Sequence, residues 1–281
     1  MANPTVRVCI ITDQIYFDMA KLCVNEIVLH KNPETKLHLY IIGNNVDTSI
    51  FQKYRELENI EVTTCSEDFD KKWKFYNNYR YLTSTVYVRL LIPTFSFFKD
   101  VGRVLYLDTD ILAQKDLSGF YNENIYGSAM GVVKDFGLAN VFNHGPVDLK
   151  TYGYFNTGQL LMNIQILRKM DFTKKCLALM HKSGMTDDQP IINTVLKGKV
   201  KFLDPIYFFP WHKTVTTKGK YLDINLWNKT YGTHYKSIDE LCEKSVLWHF
   251  HGNKQRQREN PVFREMFDSA LQRANEFLDK K

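Results

Sequence analysis

Asp108-Thr109-Asp110 sets two carboxylates one residue apart, directly after the apolar run Val104-Leu105-Tyr106-Leu107, and His249 follows far downstream. Carboxylates held this close repel, and a cation is their natural stabiliser. A hard divalent ion with oxygen ligands and open positions is in turn suited to gripping a diphosphate. A strand that releases the pair past its carboxyl end would put it in the crevice where open α/β sheets bind ligands. An isolated D-x-D is common, and an ordinary turn or capping pair explains most instances. The same strand and pair also open phosphatases that form an aspartyl-phosphate, with Asp108 as nucleophile. The continuation Ile111-Leu112-Ala113 differs from the small-residue turn such enzymes use, which ranks that chemistry lower.

A pair of this kind needs a sheet to hold it. Residues 6–12 are a β-branched run, read as a buried strand. Residues 17–30 carry helical spacing through Met19, Leu22, Cys23 and Ile27, with Pro33 beyond the end. A second strand over 36–42 is closed by Gly43-Asn44-Asn45, a helix over 47–57 has Asp47 as its cap, and a third strand covers 60–64. This β-α-β-α-β order predicts a parallel sheet with helices on its faces. A polar, aromatic connection over 68–81 leads to a helix over 85–95 and the strand 103–107. Further strands are expected at 130–133, 159–163 and 246–250, with helices at 172–182, 189–196 and 263–278. With no repeat or low-complexity linker, one mixed α/β domain over 1–260 is expected, the segment 261–281 packing on it or extending from it.

The 281 residues are 44% hydrophobic and 24% charged, a globular composition that excludes disordered and collagen-like classes. Five scattered cysteines form no C-x-x-C pair, which favours reduced thiols in a cytoplasmic protein over a disulfide framework or zinc site. The first residues lack the pattern of a signal peptide, and no apolar run approaches the roughly 20 residues of a membrane span. A net charge of +6 fits an anionic ligand or peripheral contact with the inner face of a membrane. Nucleic acid is not an expected partner, because Lys and Arg are dispersed and no nucleic-acid-binding pattern is present.

Four segments stand in order along the chain: Val104-Leu-Tyr-Leu-Asp-Thr-Asp110, Tyr154-Phe-Asn-Thr-Gly-Gln-Leu-Leu-Met-Asn163, Asp188-Gln189 with Asn193, and His249-Phe-His-Gly252 followed by Lys254. Together they resemble glycosyltransferase family 8, the group that includes glycogenin and bacterial lipooligosaccharide galactosyltransferases. The resemblance runs from about Val6 to Lys254. It implies a GT-A (Rossmann-like) α/β fold with a mixed, mostly parallel central sheet flanked by helices. It also implies a nucleotide-sugar donor, usually a UDP-hexose, Mn²⁺ with Mg²⁺ as the alternative, and retention of anomeric configuration. The expected reaction moves a hexose, glucose or galactose, to a glycan, glycolipid or glycoprotein acceptor. Self-glycosylation as in glycogenin is an alternative, since Tyr152 and Tyr154 adjoin a pocket motif.

Carried over residue by residue, Asp108, Asp110 and His249 are metal ligands, with Thr109 between them in the donor site. Imidazole beside carboxylates suits Mn²⁺ better than Mg²⁺. His251 would point the same way on an extended strand and is the rival ligand. Gly252 would let the backbone approach the phosphates, and Lys254 would place a positive charge on them. The family's Lys-Pro-Trp reads Lys254-Gln255-Arg256 here. Thr12-Asp13-Gln14-Ile15-Tyr16 stands where the family has a nucleotide-binding turn. Asp13 would accept a hydrogen bond from uracil and Tyr16 would stack on the base, or Asp13 would simply cap the next helix. Arg89 matches an arginine that reaches the donor, and Asp135 an acidic residue that contacts its sugar. Asn156, Thr157 and Gly158 would line the same pocket. Asp188 and Gln189 would stabilise and orient the sugar, and also suit the cap and first turn of a helix. An amide is a poor nucleophile, so Gln189 implies attack from the leaving group's own face over a double displacement.

Overall fold

A computed structural model of the chain describes residues 5–73, 83–136, 153–183, 187–210, 222–250 and 261–279. Among these, seven strands form one sheet in the order β3-β2-β1-β4-β7-β6-β8. They are β1 (Val6–Thr12), β2 (Leu37–Asn44), β3 (Ile60–Glu67), β4 (Arg103–Leu107), β6 (Met130–Val132), β7 (Gln159–Asn163) and β8 (Val200–Phe202). The neighbours among β1 to β4 run parallel, β7 lies antiparallel between β4 and β6, and β6 and β8 are parallel. A separate antiparallel pair joins β5 (Ile111–Ala113) to β9 (Leu247–His249). The mixed, mostly parallel sheet expected from the sequence is therefore present.

Alternation along the strands splits the core between the two faces. Val8, Ile10, Leu105 and Leu107 join one apolar cluster, and Cys9, Ile11, Val104 and Tyr106 the other. Helix α1 (Phe17–Leu29) covers the first face with Met19, Leu22, Cys23 and Ile27 buried. The opposite face is covered by α4 (Ile164–Lys169), α5 (Phe172–Ser183) and α6 (Asp188–Val195), through Leu167, Phe172, Cys176, Ile191 and Ile192. Parallel strands buried on both faces read as continuous apolar runs, which is why β1 and β2 were recognisable.

The expected helices over 47–57 and 85–95 are 3₁₀ helices, Ser49–Glu56 and Ser84–Thr94. In the first, the buried Phe51 and Tyr54 are three residues apart, the repeat of a 3₁₀ turn, and Asp47 accepts bonds from the Ser49 N–H and hydroxyl. In the second, Pro93 removes an N–H, and Tyr87 to Pro93 are buried without a polar face. β3 runs on to Glu67 because β2 stays paired with it as far as Asn44. Four short helices and strands carry no clear sequence signal: α2 (Phe69–Trp73), α3 (Ser118–Tyr121), β5 and β8. Sequence reasoning also misses α7 (Ile224–Tyr231) and α8 (Ile238–Lys244), capped by Asp223 and Ser237.

Helix α9 (Pro261–Leu278) packs on α1 and the first 3₁₀ helix, burying Phe267, Ala270, Ala274 and Leu278. Arg273 Nη2 lies 3.2 Å from the buried Glu26 Oε1, and the Phe277 ring stacks on Tyr54 at 4.8 Å. All five cysteines are unpaired, and no helix among the described residues is long and apolar enough to cross a membrane.

Candidate metal and donor site

The site forms in the middle of the sheet, where the carboxyl ends of β1 and β4 lie beside the start of β7. Leu107 pairs with Gln159, so the residue after β4 faces the residue before β7, and the Asp108 N–H donates to the Gly158 carbonyl at 2.7 Å. On the other side, Ile111 pairs with His249 across β5 and β9, and the Phe250 N–H donates to the Asp110 carbonyl at 2.9 Å. That register brings His249 Nε2 to 3.2 Å from Asp110 Oδ1. One ligand atom each from Asp108, Asp110 and His249 lies within 4.8 Å of the other two. Two acidic oxygens and an imidazole at such separations fit a divalent cation. Thr109 between them is buried. Gly158 makes room: a Cβ there would lie 2.4 Å from His249 Cε1 and 2.9 Å from Asp108 Oδ2.

Arg89 organises the floor beneath. Its side chain projects from the 3₁₀ helix Ser84–Thr94, and its guanidinium lies 2.9 Å from Asp108 Oδ1, 3.2 Å from Asp188 Oδ2 and 2.9 Å from the Thr157 carbonyl. It also sits over the Tyr106 ring, whose hydroxyl donates to Asp108 Oδ1. Burial alone would lower the arginine's pKa, but Asp108 and Asp188 outweigh it, and the guanidinium keeps its charge. For Asp188, burial pushes the carboxyl up, Arg89 pulls it down, and Asp187 and Asp108 push it up again, the net being upward. Burial likewise raises the Tyr106 phenol well above its ordinary value, so it remains a donor. Arg89 is thus a buried ion-pair residue.

Asp135, Asn156 and Gln189 form a second polar group. The Asp135 N–H donates to the Tyr154 carbonyl, and the Asn156 N–H to the Val133 carbonyl, so 133–135 pairs with 154–156. Asn156 Nδ2 and Gln189 Nε2 each donate to Asp135 Oδ2 at 3.3 Å, and Gln189 Oε1 accepts from the Thr157 N–H at 3.2 Å. The Thr157 hydroxyl donates to Asp188 Oδ2 at 3.3 Å. Asp187 caps α6 by accepting from the Gln189 N–H, and the Asn193 side chain bonds both backbone groups of Phe155. The start of α6 is therefore fastened to the 154–157 bend. Asp188 is buried beneath it, and Gln189 is the more open of the two.

The turn after β1 is placed beside these strand ends, because Ile10 of β1 pairs with Leu107. Thr12 is fully buried, and Asp13 caps the turn by accepting from the N–H groups of Ile15 and Tyr16. Tyr16 is half-buried against the core at this end of α1. Gly252, Lys254, the rival ligand His251, and Tyr152 lie outside the described residues. Tyr154 is buried, and burial raises its phenol. Tyr106 and Asp187 are site residues that sequence reasoning passed over. For Tyr106 the available signal was its position two residues before Asp108 on one strand face.

An α/β sheet of this order, with an acidic-histidine cluster at its strand ends, has the architecture of the GT-A fold. Residues 7–255 match the model of glycosyl transferase family 8, and the chain belongs to that family. It is similar to a putative glycosyltransferase of Haemophilus influenzae, 24% identical over 259 residues, covering 88% of this chain and 74% of the relative. It is also similar to the lipopolysaccharide 1,2-glucosyltransferase of Escherichia coli K12, 27% identical over 253 residues, covering 85% of this chain and 69% of that one. Among solved structures, the galactosyltransferase LgtC, crystallised with donor and acceptor sugar analogs, superposes with a TM-score of 0.75 over 95% of each chain at 18% identity.

Proposed function

We propose that this enzyme moves a hexose from a UDP-sugar to a glycan, glycolipid or glycoprotein acceptor, with retention and with a divalent metal, Mn²⁺ ahead of Mg²⁺. The observation that carries the reading is the convergence of Asp108, Asp110 and His249 at the strand ends of a family 8 fold. These three would hold the metal, which when bound stabilises negative charge on a leaving diphosphate. Gly252 and Lys254 are proposed to complete the phosphate wall. The names of the lipopolysaccharide 1,2-glucosyltransferase and of the galactosyltransferase LgtC support glucose or galactose as the sugar. Family membership removes the main support for the aspartyl-phosphate alternative, and the burial of Tyr154 argues against that residue as a self-glycosylation acceptor.

Within this reading, the chain's own residues orient the reacting groups. Arg89 fixes the Asp108 carboxylate, and Asp188 balances the arginine's charge. The Gln189 amide is held between the Thr157 N–H and the Asp135 carboxylate, so it presents a fixed dipole to the sugar and no nucleophilic carboxylate. Attack from the leaving group's face, with the departing phosphate accepting the acceptor's proton, follows from that chemistry. A glycosyl adduct trapped on Gln189 or Asp188 would overturn it. The transfer reading is tested by UDP release from UDP-glucose, UDP-galactose and their N-acetyl forms. Mn²⁺-dependent release from one or more hexose donors is expected, and no release from any would refute it.

A further inference from the structure

Asp135 holds the Gln189 amide, and the group that holds Asp135 comes from far along the chain. β6 pairs with β8 as far as Val132, whose carbonyl accepts from the Leu203 N–H at 2.8 Å. On the other side, the Asp135 N–H donates to the Tyr154 carbonyl and the Asn156 N–H to the Val133 carbonyl. In such an antiparallel pairing the backbone groups of the intervening Lys134 point away from 154–156. Helix α7 stands on that side in place of a strand. The Tyr231 hydroxyl donates to the Lys134 carbonyl at 2.8 Å, and Lys134 Nζ donates to the Thr230 carbonyl at 3.4 Å. Phe136 is held by the same helix. Its ring lies 5.2 Å from that of the fully buried Trp227 and 6.3 Å from that of Tyr231, and those two rings are 4.4 Å apart. α7 therefore fastens the residue on each side of Asp135. Burial raises the Tyr231 phenol well above its ordinary value and the Asp135 charge adds to the rise, so the hydroxyl stays a donor. The Asp135 carboxylate in turn accepts from Asn156 Nδ2 and Gln189 Nε2.

We propose that Tyr231 is a positioning residue for sugar transfer: through the Lys134 carbonyl it sets Asp135, and through Asp135 the Gln189 amide, while the nucleotide half of the site is unaffected. The proposal rests on the reading of the site as one for a nucleoside-diphosphate sugar. Tyr231→Phe keeps the ring packed on Trp227 and removes the hydroxyl alone. The test uses the full chain with Mn²⁺ and measures calorimetric UDP affinity beside turnover of UDP-glucose and UDP-galactose. It compares the wild type with Tyr231→Phe, Asp135→Asn and the double variant. Tyr231→Phe is expected to keep its UDP affinity within about twofold while kcat falls about tenfold or more. Added to Asp135→Asn it should change little further, because residues acting through one another are not additive. Phe136→Leu loosens the other flank of Asp135, should give the same split, and keeps the test open if Tyr231→Phe does not fold. Additive losses in the double variant overturn the proposal, as does a UDP affinity that falls in step with kcat. So does a lowered melting temperature with kcat intact, which is what a purely structural role would give. A wild type that turns over neither donor overturns the hexose-transfer reading together with this inference. An active wild type matched by Tyr231→Phe overturns the inference alone.

Discussion

At Gly158 and Gln159, adjacent residues meet opposite demands. A methyl group at 158 would lie within 3.1 Å of His249, Asp108 and Asn156 atoms, so Gly158→Ala must displace the proposed metal ligands or their neighbour. Displaced ligand geometry typically costs about 10- to 100-fold in metal affinity, and Mn²⁺ titration of the folded variant would measure it. Gln159, by contrast, is fully buried with both amide atoms lacking a hydrogen-bond partner among the described residues. Each unsatisfied buried group costs about 1–3 kcal/mol, and methionine has a similar length without the polar atoms. Gln159→Met is therefore expected to raise the melting temperature, as scanning calorimetry would show. An unchanged or lowered value would mean that the amide has a partner in the working enzyme.

At the scale of elements, the 3₁₀ helix Ser84–Thr94 and the β5–β9 pair matter most. Arg89 is the bridge from that helix to the half-buried Asp108 and the buried Asp188, and removing one member of a buried ion pair typically destabilises by about 3–5 kcal/mol. Arg89→Met should lose stability of that order in chemical denaturation, and its donor affinity should fall with it. A variant as stable as the wild type would show that Asp108 and Asp188 are accommodated without the arginine. How much of this was legible follows from the physics. The runs of β1, β2 and β4 announce buried strands, and Asp108 and Asp110 are visible because they follow one directly. The three-residue β5 has no period to detect, so the register that sets Ile111 against His249 could not be read. The bonds that Asp13 accepts from Thr83 and Thr85 were hidden for the same reason: those partners are 70 and 72 residues away.

At the scale of the molecule, α9 packs against α1, and α1 in turn packs against β5. Cys23 of α1 approaches the Asp108 carbonyl at 3.7 Å, so the site rests on a helix whose other side α9 covers. Truncating a buried phenylalanine costs about 3–5 kcal/mol, and Phe267→Ala should lower stability accordingly while leaving donor affinity of the folded enzyme unchanged. A matching fall in donor affinity would mean that α9 shapes the site as well as the core. In the proposed reading, Asp108, Asp110 and His249 grip a nucleotide diphosphate through a metal. Its most direct test is calorimetric titration of UDP into the protein with Mn²⁺ and again with EDTA, beside Asp110→Asn. Saturable UDP binding is expected with Mn²⁺, with losses of about 100-fold or more both on chelation and in the variant. Equal affinity with and without the metal would contradict it.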